Sequence, residues 1–372
     1  MKLSLLEENL SLALTHTSRF VASKLQLPIL GHILFSTDNG RLKLSATNLD
    51  LAINYWIGAK IETEGSFCLP SKEITEFVSY LPPGPINLSL KDSNILTLTS
   101  DKTESSFACL PSSDFPEIPS LDPKTAFEID LSLLTQAISQ IAFAAATDDS
   151  RPVLTAILCT FSSDSLTLVA TDGFRLSLKN IKLVNPLPLD DNPQTLLIPA
   201  KSLSEIVKLA RSSKKIKIGL TSDAHQVVFV LEDLELVSRL IDGEYPDYNR
   251  IIPSEASTKV FINRDEFAQA IKQSSVFARQ SANVVKLSLK ANSIELSANA
   301  PQIGQNKVSI DAKIEGSPLE IAFNYKFISD FLSICNGDEI VLELNEPLSP
   351  GLFRDQATPD FTHIIMPVRI QD

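Results

Sequence analysis

The side chains able to do covalent or metal chemistry in this 372-residue chain are scattered. Cys68, Cys109, Cys159 and Cys335 show no CxxC spacing, and their apolar flanks read as buried thiols of a reducing compartment. His16, His32, His225 and His363 form no HxxxH pair and no cluster with carboxylates, so no bound metal is expected. Asp148–Asp149, followed by Ser150–Arg151, is the best candidate for acid–base work. Adjacent carboxylates usually point apart, however, and this stretch suits a helix-to-strand loop. No two of the twelve glycines stand closer than seven positions, which excludes a Walker loop, a GxGxxG turn and a GxSxG elbow. No catalytic residue and no cofactor is expected.

Three segments instead carry residues suited to binding. VATDGFRLSL (Val169–Leu178) places Thr171–Asp172–Gly173 after a strand, and Gly173 is free to take a positive φ there. LIDGEYPDYNRIIP (Leu240–Pro253) has a second Asp-Gly turn and an aromatic–Pro–acid–aromatic cluster, which taken alone reads as a linker packed by Tyr245 and Tyr248. HIIMPVRIQD closes the chain. By itself it reads as a final edge strand ended by Pro367, which has no N–H to give a ladder.

The elements that must position these segments are repeated. Leu27–Asp50 (LPILGHILFSTDNGRLKLSATNLD) reappears as Arg151–Phe174 (RPVLTAILCTFSSDSLTLVATDGF) at an offset of 124 positions, and Val285–Asn299 is a fainter third copy. Amphipathic segments open at Asn9–Leu14, Asp130–Ile138 and Asn263–Ile271, with Asp130 and Asn263 available as N-caps. A second helix recurs as Leu69–Leu81, Ile198–Ala210 and Phe323–Cys335, with Lys72, Lys201 and Lys326 at one common position. RLKLSA, SLTLVA and SIELSA alternate as strands with one buried face, and DNG and SSD suit hairpin turns. The expectation is an α+β protein of three similar units of about 125 residues, each two helices packed on antiparallel sheet. Pro116–Pro123 and Pro253–Ser257 mark the joins, giving domains 1–121, 122–253 and 254–372.

Composition limits the partners. Apolar residues make up 44% of the chain, enough for sizeable cores, and 33 basic against 45 acidic residues leave a formal charge of −12. Bulk charge therefore disfavours both nucleic acid and anionic membrane. No apolar run approaches a membrane span, and Glu7–Glu8 interrupt the N-terminus where a signal sequence would be apolar, so a cytoplasmic protein with no membrane partner is expected.

The segments LPILGHILF, ATNLD, RPVLTAIL, VATDGFRL, IDGEYPDYNRIIP and IIMPVRI, in this order and spacing, resemble the bacterial DNA polymerase III beta subunits, the sliding clamps, over essentially the whole chain. The resemblance implies three clamp-type, ring-forming domains: a head-to-tail homodimer that encircles double-stranded DNA, with helices lining the pore. It implies a non-catalytic processivity factor acting in DNA replication, cytoplasmic and nucleoid-associated. Its partners would be the DNA polymerase III alpha subunit, the clamp loader and repair proteins, all carrying short clamp-binding peptides. Lys24, Lys72 and Lys201 match pore-facing basic positions, and Lys326 joins them by the internal repeat. The peptide groove would use Leu154, Thr171, Gly173, Phe174, Arg175, Leu176, Pro246, Arg250, Ile251, Ile364, Ile365, Met366, Pro367, Val368 and Arg369. Phe107 on the first domain and Val276–Phe277 on the third match the dimer interface.

Three features depart from that pattern. Phe174 stands where the family usually has His, which implies an altered peptide preference. The basic-against-acidic charge pairing of some relatives is missing, since Asp101, Lys102 and Glu104 would face Ile303, Gln305 and Lys307. Ring closure should then rest on apolar packing and strand pairing. Gln371–Asp372 extend past the usual end of the chain.

Overall fold

The computed structural model describes residues 1–22, 27–91, 94–183, 185–188, 193–210 and 213–369, so Lys24 and Gln371–Asp372 lie outside the described residues. One order of elements occurs three times: a strand, a helix, four strands, a helix and three strands. The first copy runs β1 (Lys2–Leu6), α1 (Glu7–Thr17), β2 (His32–Asp38), β3 (Arg41–Thr47), β4 (Leu51–Gly58), β5 (Lys60–Thr63), β6 (Ser66–Pro70), α2 (Ser71–Ser79), β7 (Pro85–Lys91), β8 (Ile95–Thr99) and β9 (Glu104–Ala108). Here β4 and β5 are one strand interrupted at Ala59. The second copy runs β10 (Phe127–Asp130), α3 (Leu131–Ile141), β11 (Ala156–Phe161), β12 (Ser165–Thr171), β13 (Arg175–Lys182), β14 (Gln194–Pro199), α4 (Ala200–Leu209), β15 (Lys215–Leu220), β16 (Gln226–Val230) and β17 (Leu234–Arg239). The third runs β18 (Thr258–Asn263), α5 (Arg264–Ala278), β19 (Val284–Lys290), β20 (Ser293–Ala300), β21 (Gly304–Glu315), β22 (Glu320–Asn324), α6 (Tyr325–Ile334), β23 (Glu339–Leu344), β24 (Gly351–Asp355) and β25 (Phe361–Ile365).

Local chemistry explains these elements. Asn39 and Gly40 both have positive φ (47° and 77°), the turn that a tight right-twisted hairpin between β2 and β3 requires. In β3 and β12 alternate side chains are buried at first, and the last four are buried without alternation as both faces become covered. Asn263 caps α5, its side-chain oxygen accepting from the N–H groups of Asp265 and Glu266 at 3.0 and 3.1 Å. Asp130 Oδ1 accepts from the Ser132 N–H at 2.8 Å at the start of α3.

Packing groups the chain into two compact units, Met1–Ser132 with Glu205–Leu240, and Leu133–Ser204 with Ile241–Asp372. The middle copy is thus divided between them. Strand pairing is the physical reason, because backbone ladders run across the copy boundaries. In the first unit β17 pairs β4, giving an eight-stranded sheet ordered β10-β15-β16-β17-β4-β3-β2-β6 beside a five-stranded sheet β5-β1-β7-β8-β9. In the second unit β13 pairs β25 within a twelve-stranded sheet ordered β14-β11-β12-β13-β25-β24-β23-β18-β21-β20-β19-β22. The last strand is therefore not an edge strand, as its sequence alone suggests: it is bonded on both sides, by β13 and β24. It still ends immediately before Met366–Pro367.

Aromatic rings fill much of the core of the second unit. Phe323, Phe331, Phe353 and Phe361 are almost wholly buried, and Phe331 stacks on His363 with centroids 5.4 Å apart. Burying a side chain of this size contributes roughly 1.5–3 kcal/mol. In the first unit Phe35 and Phe67 stack at 5.2 Å beneath β2 and β6.

Candidate functional site

The seam between β13 and β25 gathers the three binding segments of the sequence. Arg175 stands opposite Ile365 and Leu176 opposite Ile364. Val169, Leu176, Leu178, Leu352 and Ile364 form a buried cluster, and Tyr245, Tyr248 and Ile252 of the connecting segment pack against it. The Tyr245 hydroxyl donates to the Val169 carbonyl at 3.4 Å, and burial pushes its pKa up, so it remains a neutral donor.

The turn after β12 is rigidly built. Thr171 Oγ1 accepts from the Gly173 N–H at 3.0 Å and donates to the Arg175 carbonyl at 2.6 Å. Asp172 Oδ1 accepts from the N–H groups of Phe174 and Arg175 at 2.9 and 3.0 Å. Gly173 has φ of 90°, and a Cβ there would lie 2.8 Å from Arg151 Nη1. The positive φ favours glycine here, and the tip of the Arg151 side chain would have to shift to admit a Cβ. Arg151 Nη2 in turn donates to the Asp172 carbonyl at 2.8 Å.

Arg175 is the centre of the site. Its Nε donates to Asp172 at 3.0 Å, Nη1 to Asp330 at 2.5 Å and Nη2 to the Phe143 carbonyl at 2.6 Å. The guanidinium also lies over the rings of Phe327 and Phe143, 4.6 and 5.3 Å from their centroids. Thus Arg175 ties β13 to α6 and to the turn after α3. Arg250 and Arg369 remain exposed, and Arg250 pairs with Asp247 at 2.8 Å.

Beneath this cluster His363 is fully buried. Its Nδ1 shares a 2.8 Å hydrogen bond with the Ser177 hydroxyl, and Nε2 has no hydrogen-bond partner among the described residues. Burial, assisted by the positive charge of Arg175, pushes the imidazole pKa down to about 3, so it is neutral near pH 7.

The fifteen groove candidates divide by exposure. Leu154, Thr171, Leu176, Ile364 and Ile365 are buried floor and Arg175 is a half-buried tie. Gly173, Phe174, Pro246, Arg250, Ile251, Met366 and Arg369 reach the surface, with Pro367 and Val368 half-buried. Phe174, at 61% exposed, is the most accessible of the apolar ones, and its carbonyl accepts from the Met366 N–H at 2.8 Å. The Val368 N–H donates to the Ala322 carbonyl at 2.8 Å, which straps the C-terminal segment to β22. The sequence reading missed Asp172, Asp330, Phe143, Phe327 and Leu352. Only Asp172 carried a local signal, its place in an Asp-Gly turn.

The other candidates lie elsewhere. Lys72, Lys201 and Lys326 are each the second residue of α2, α4 and α6, all are exposed, and none has an acidic partner among the described residues. Phe107 on β9 packs edge-on against Phe77 at 5.2 Å, Val276 is half-exposed and Phe277 half-buried. Asp148 accepts from the Ser150 N–H at 3.1 Å and from the Ser150 hydroxyl, which hold its pKa low: it closes a turn. All four cysteines are buried and free, with burial pushing Cys68 and Cys335 up to about 12. Among the described residues no cluster of His, Cys, Asp and Glu suits a metal, and no helix is long and apolar enough to cross a membrane.

Comparison with known proteins covers the whole chain. Residues 1–119, 128–247 and 249–369 match the N-terminal, central and C-terminal domains of the DNA polymerase III beta subunit. The beta sliding clamp of Bacillus subtilis is 32% identical over 380 residues, spanning 99% of this chain and all of that one. The crystal structure of the Bacillus subtilis sliding clamp covers both chains fully with a TM-score of 0.93 at 31% identity. That of the Thermotoga maritima DNA polymerase III beta subunit also covers both fully, at 0.91 and 30%.

Proposed function

The chain belongs to the DNA polymerase III beta subunit family, and from that premise we propose how its residues serve a DNA polymerase processivity factor that has no catalytic step of its own. The observation that carries the reading is the threefold element order, which supplies six α-helices among the described residues and continuous sheets from one chain. A head-to-tail pair of such chains makes a closed ring of three domains per protomer, with boundaries at 1–121, 122–253 and 254–372. Topology then keeps the ring on duplex DNA, and affinity need not.

Weak phosphate contacts suit that task, because sliding requires contacts that exchange. Exposed, unpaired Lys72, Lys201 and Lys326 at one repeated helical position support a pore-lining role, despite the net charge of −12. A replication role puts the protein in the cytoplasm, around the nucleoid.

The β13–β25 seam is the docking groove for short peptides of the polymerase alpha subunit, the clamp loader and repair proteins. Phe174, Ile251 and Met366 offer apolar surface for peptide anchors, and Met adapts to varied shapes. Two buried anchors at roughly 1.5–3 kcal/mol each, with a few hydrogen bonds, give about micromolar, exchangeable binding. Phe174 in place of a polar rim group favours a peptide with a further apolar contact.

Ring closure joins β9 to β21. Among the described residues the strand β9 ends its sheet, and Gly304–Asp311 of β21 pairs on one side only, with β20. Phe107, Val276, Phe277 and the half-exposed Ile303 supply apolar contact. Dimerisation should therefore change less than about threefold between 0.1 and 0.5 M salt. Sedimentation across that range checks it, and steep dissociation at moderate salt overturns it.

The central test loads labelled protein onto nicked circular DNA with a clamp loader and ATP, removes free protein and linearises half the sample. Retention on circles with escape from linear DNA is expected. Equal retention on both means ordinary affinity and overturns the topological reading.

A further inference from the structure

The internal repeat places a second cleft in the first unit at the position that the peptide groove occupies in the second. The turn after β3 repeats the turn after β12 bond for bond. Thr47 Oγ1 accepts from the Leu49 N–H at 3.0 Å and donates to the Leu51 carbonyl at 3.2 Å. Asn48 Oδ1 accepts from the Asp50 and Leu51 N–H groups at 3.1 and 2.8 Å, as Asp172 does 124 positions later. The next strand then pairs across the copy boundary, Ala52 opposite Val237, as Leu176 stands opposite Ile364. Ala52, Val228 and Val237 form the buried floor, with Ile118 of the connecting segment packed on it.

Between turn, floor and connector lies a cavity of about 160 Å³ lined by Leu49, Asp50, Ile118, Pro119 and Val237 among others. Cavities near 150 Å³ admit a group of about benzene's size, so one branched aliphatic side chain fits. Leu49 has φ of 77°, where its counterpart Gly173 has 90°, and it is 53% exposed. A leucine held in the left-handed region without the return of full burial is an outlier of the kind that marks functional sites. Here it presents an apolar side chain at the mouth of the cavity.

Charge selects the occupant. Asp50 and Glu117 line the cavity, are exposed and have no ion-pair partner among the described residues. Arg239, whose N–H donates to the Asp50 carbonyl at 2.8 Å, follows on β17 but is not part of the lining. At the first groove Arg250 is paired with Asp247, and Arg369 is exposed with no ion pair among the described residues.

From these features we infer that the β4–β17 cleft is a second docking site, taking an extended basic peptide with one branched aliphatic side chain seated against Leu49, Ile118 and Val237. It is separate from the β13–β25 groove and selects a different peptide.

The probe is an amidated, fluorescent hexapeptide RKLVKR with photo-leucine at its leucine position. Saturable binding below about 1 mM is expected, with cross-links mapping to Leu49 or to Pro116–Pro119. Asp50→Lys with Glu117→Lys should weaken it about tenfold or more, and so should replacing the peptide's Leu-Val by Ser-Asn. Leu49→Gly, which suits the backbone, should weaken binding without loss of fold, as circular dichroism would report. Met366→Ala should leave binding unchanged. No saturation, equal binding of the Ser-Asn peptide, or cross-links confined to the β13–β25 seam would each overturn the inference.

Discussion

Where β4 meets β17, Ile53 stands opposite Leu236; where β13 meets β25, the matching pair is Ser177 and His363, and all four side chains are buried. Two residues along, Leu51 faces Ser238 in the first seam and Arg175 faces Ile365 in the second. The backbone pairing is the same, but the second seam holds a guanidinium and an imidazole that must be neutralised or bonded in place. The first seam buries only neutral groups, Ser238 and Asn54 among them, each with a hydrogen bond. Buried polar networks of this kind add little net stability, yet they fix one geometry. For the docking groove proposed above, that fixity presents one rim to every peptide.

The sharpest way to break the comparison is acid. With its pKa at about 3, against an ordinary 6.5, His363 is neutral in the folded chain while the unfolded chain takes up a proton. Its folded pKa is depressed, so stability is intact above pH 6.5 and falls as the pH drops toward 3. The slope is about 1.4 kcal/mol per pH unit, which gives roughly 3 kcal/mol lost by pH 4. Ser177→Ile with His363→Leu, which copies the first seam, should flatten this dependence. Hydrogen exchange of the β13 and β25 amides at pH 7 and 4 measures it. An unchanged slope would show that His363 is not the acid-sensitive group.

Arg175→Met comes next in size. It removes three charge-assisted or backbone bonds and two ring contacts, and should cost about 2–4 kcal/mol while weakening peptide binding. Urea denaturation and peptide titration check both parts. Binding lost with stability unchanged would make Arg175 a direct ligand of the peptide and not the tie between β13 and α6.

Much of this architecture was legible in the sequence, because it depends on local or repeated signals. Period-two strands, the Asn-Gly hairpin, the Asn263 cap and the offset of the repeat all act through near neighbours. The Arg175 network did not announce itself: Asp330 is 155 positions away and Phe143 is 32 in the other direction. Only the pairing of β25 with β13 and the packing of α6 bring them together. The C-terminal strand misled for the same reason, since Pro367 marks where a strand stops but not what lies beside it. Leu49 is harder still, because nothing in Thr-Asn-Leu signals a left-handed backbone. Its counterpart Thr-Asp-Gly signals it clearly.

That last pair also gives the two smallest predictions, of opposite sign. Gly173→Ala places a Cβ at φ of 90° and 2.8 Å from Arg151 Nη1, so it should cost about 1–2 kcal/mol, read as a lowered denaturation midpoint. Arg151→Ala in the same background should return the steric part and leave the backbone part. Leu49→Gly runs the exchange backwards. It relieves about 1–2 kcal/mol of left-handed strain but adds roughly 0.5–1 kcal/mol of unfolded-chain entropy. Little burial is forfeited, since Leu49 is 53% exposed. A net gain of about 0.5 kcal/mol is expected. A loss above about 1 kcal/mol would mean that Leu49 packs more tightly than its exposure implies, and the strain would then be compensated within the fold instead of held for a ligand.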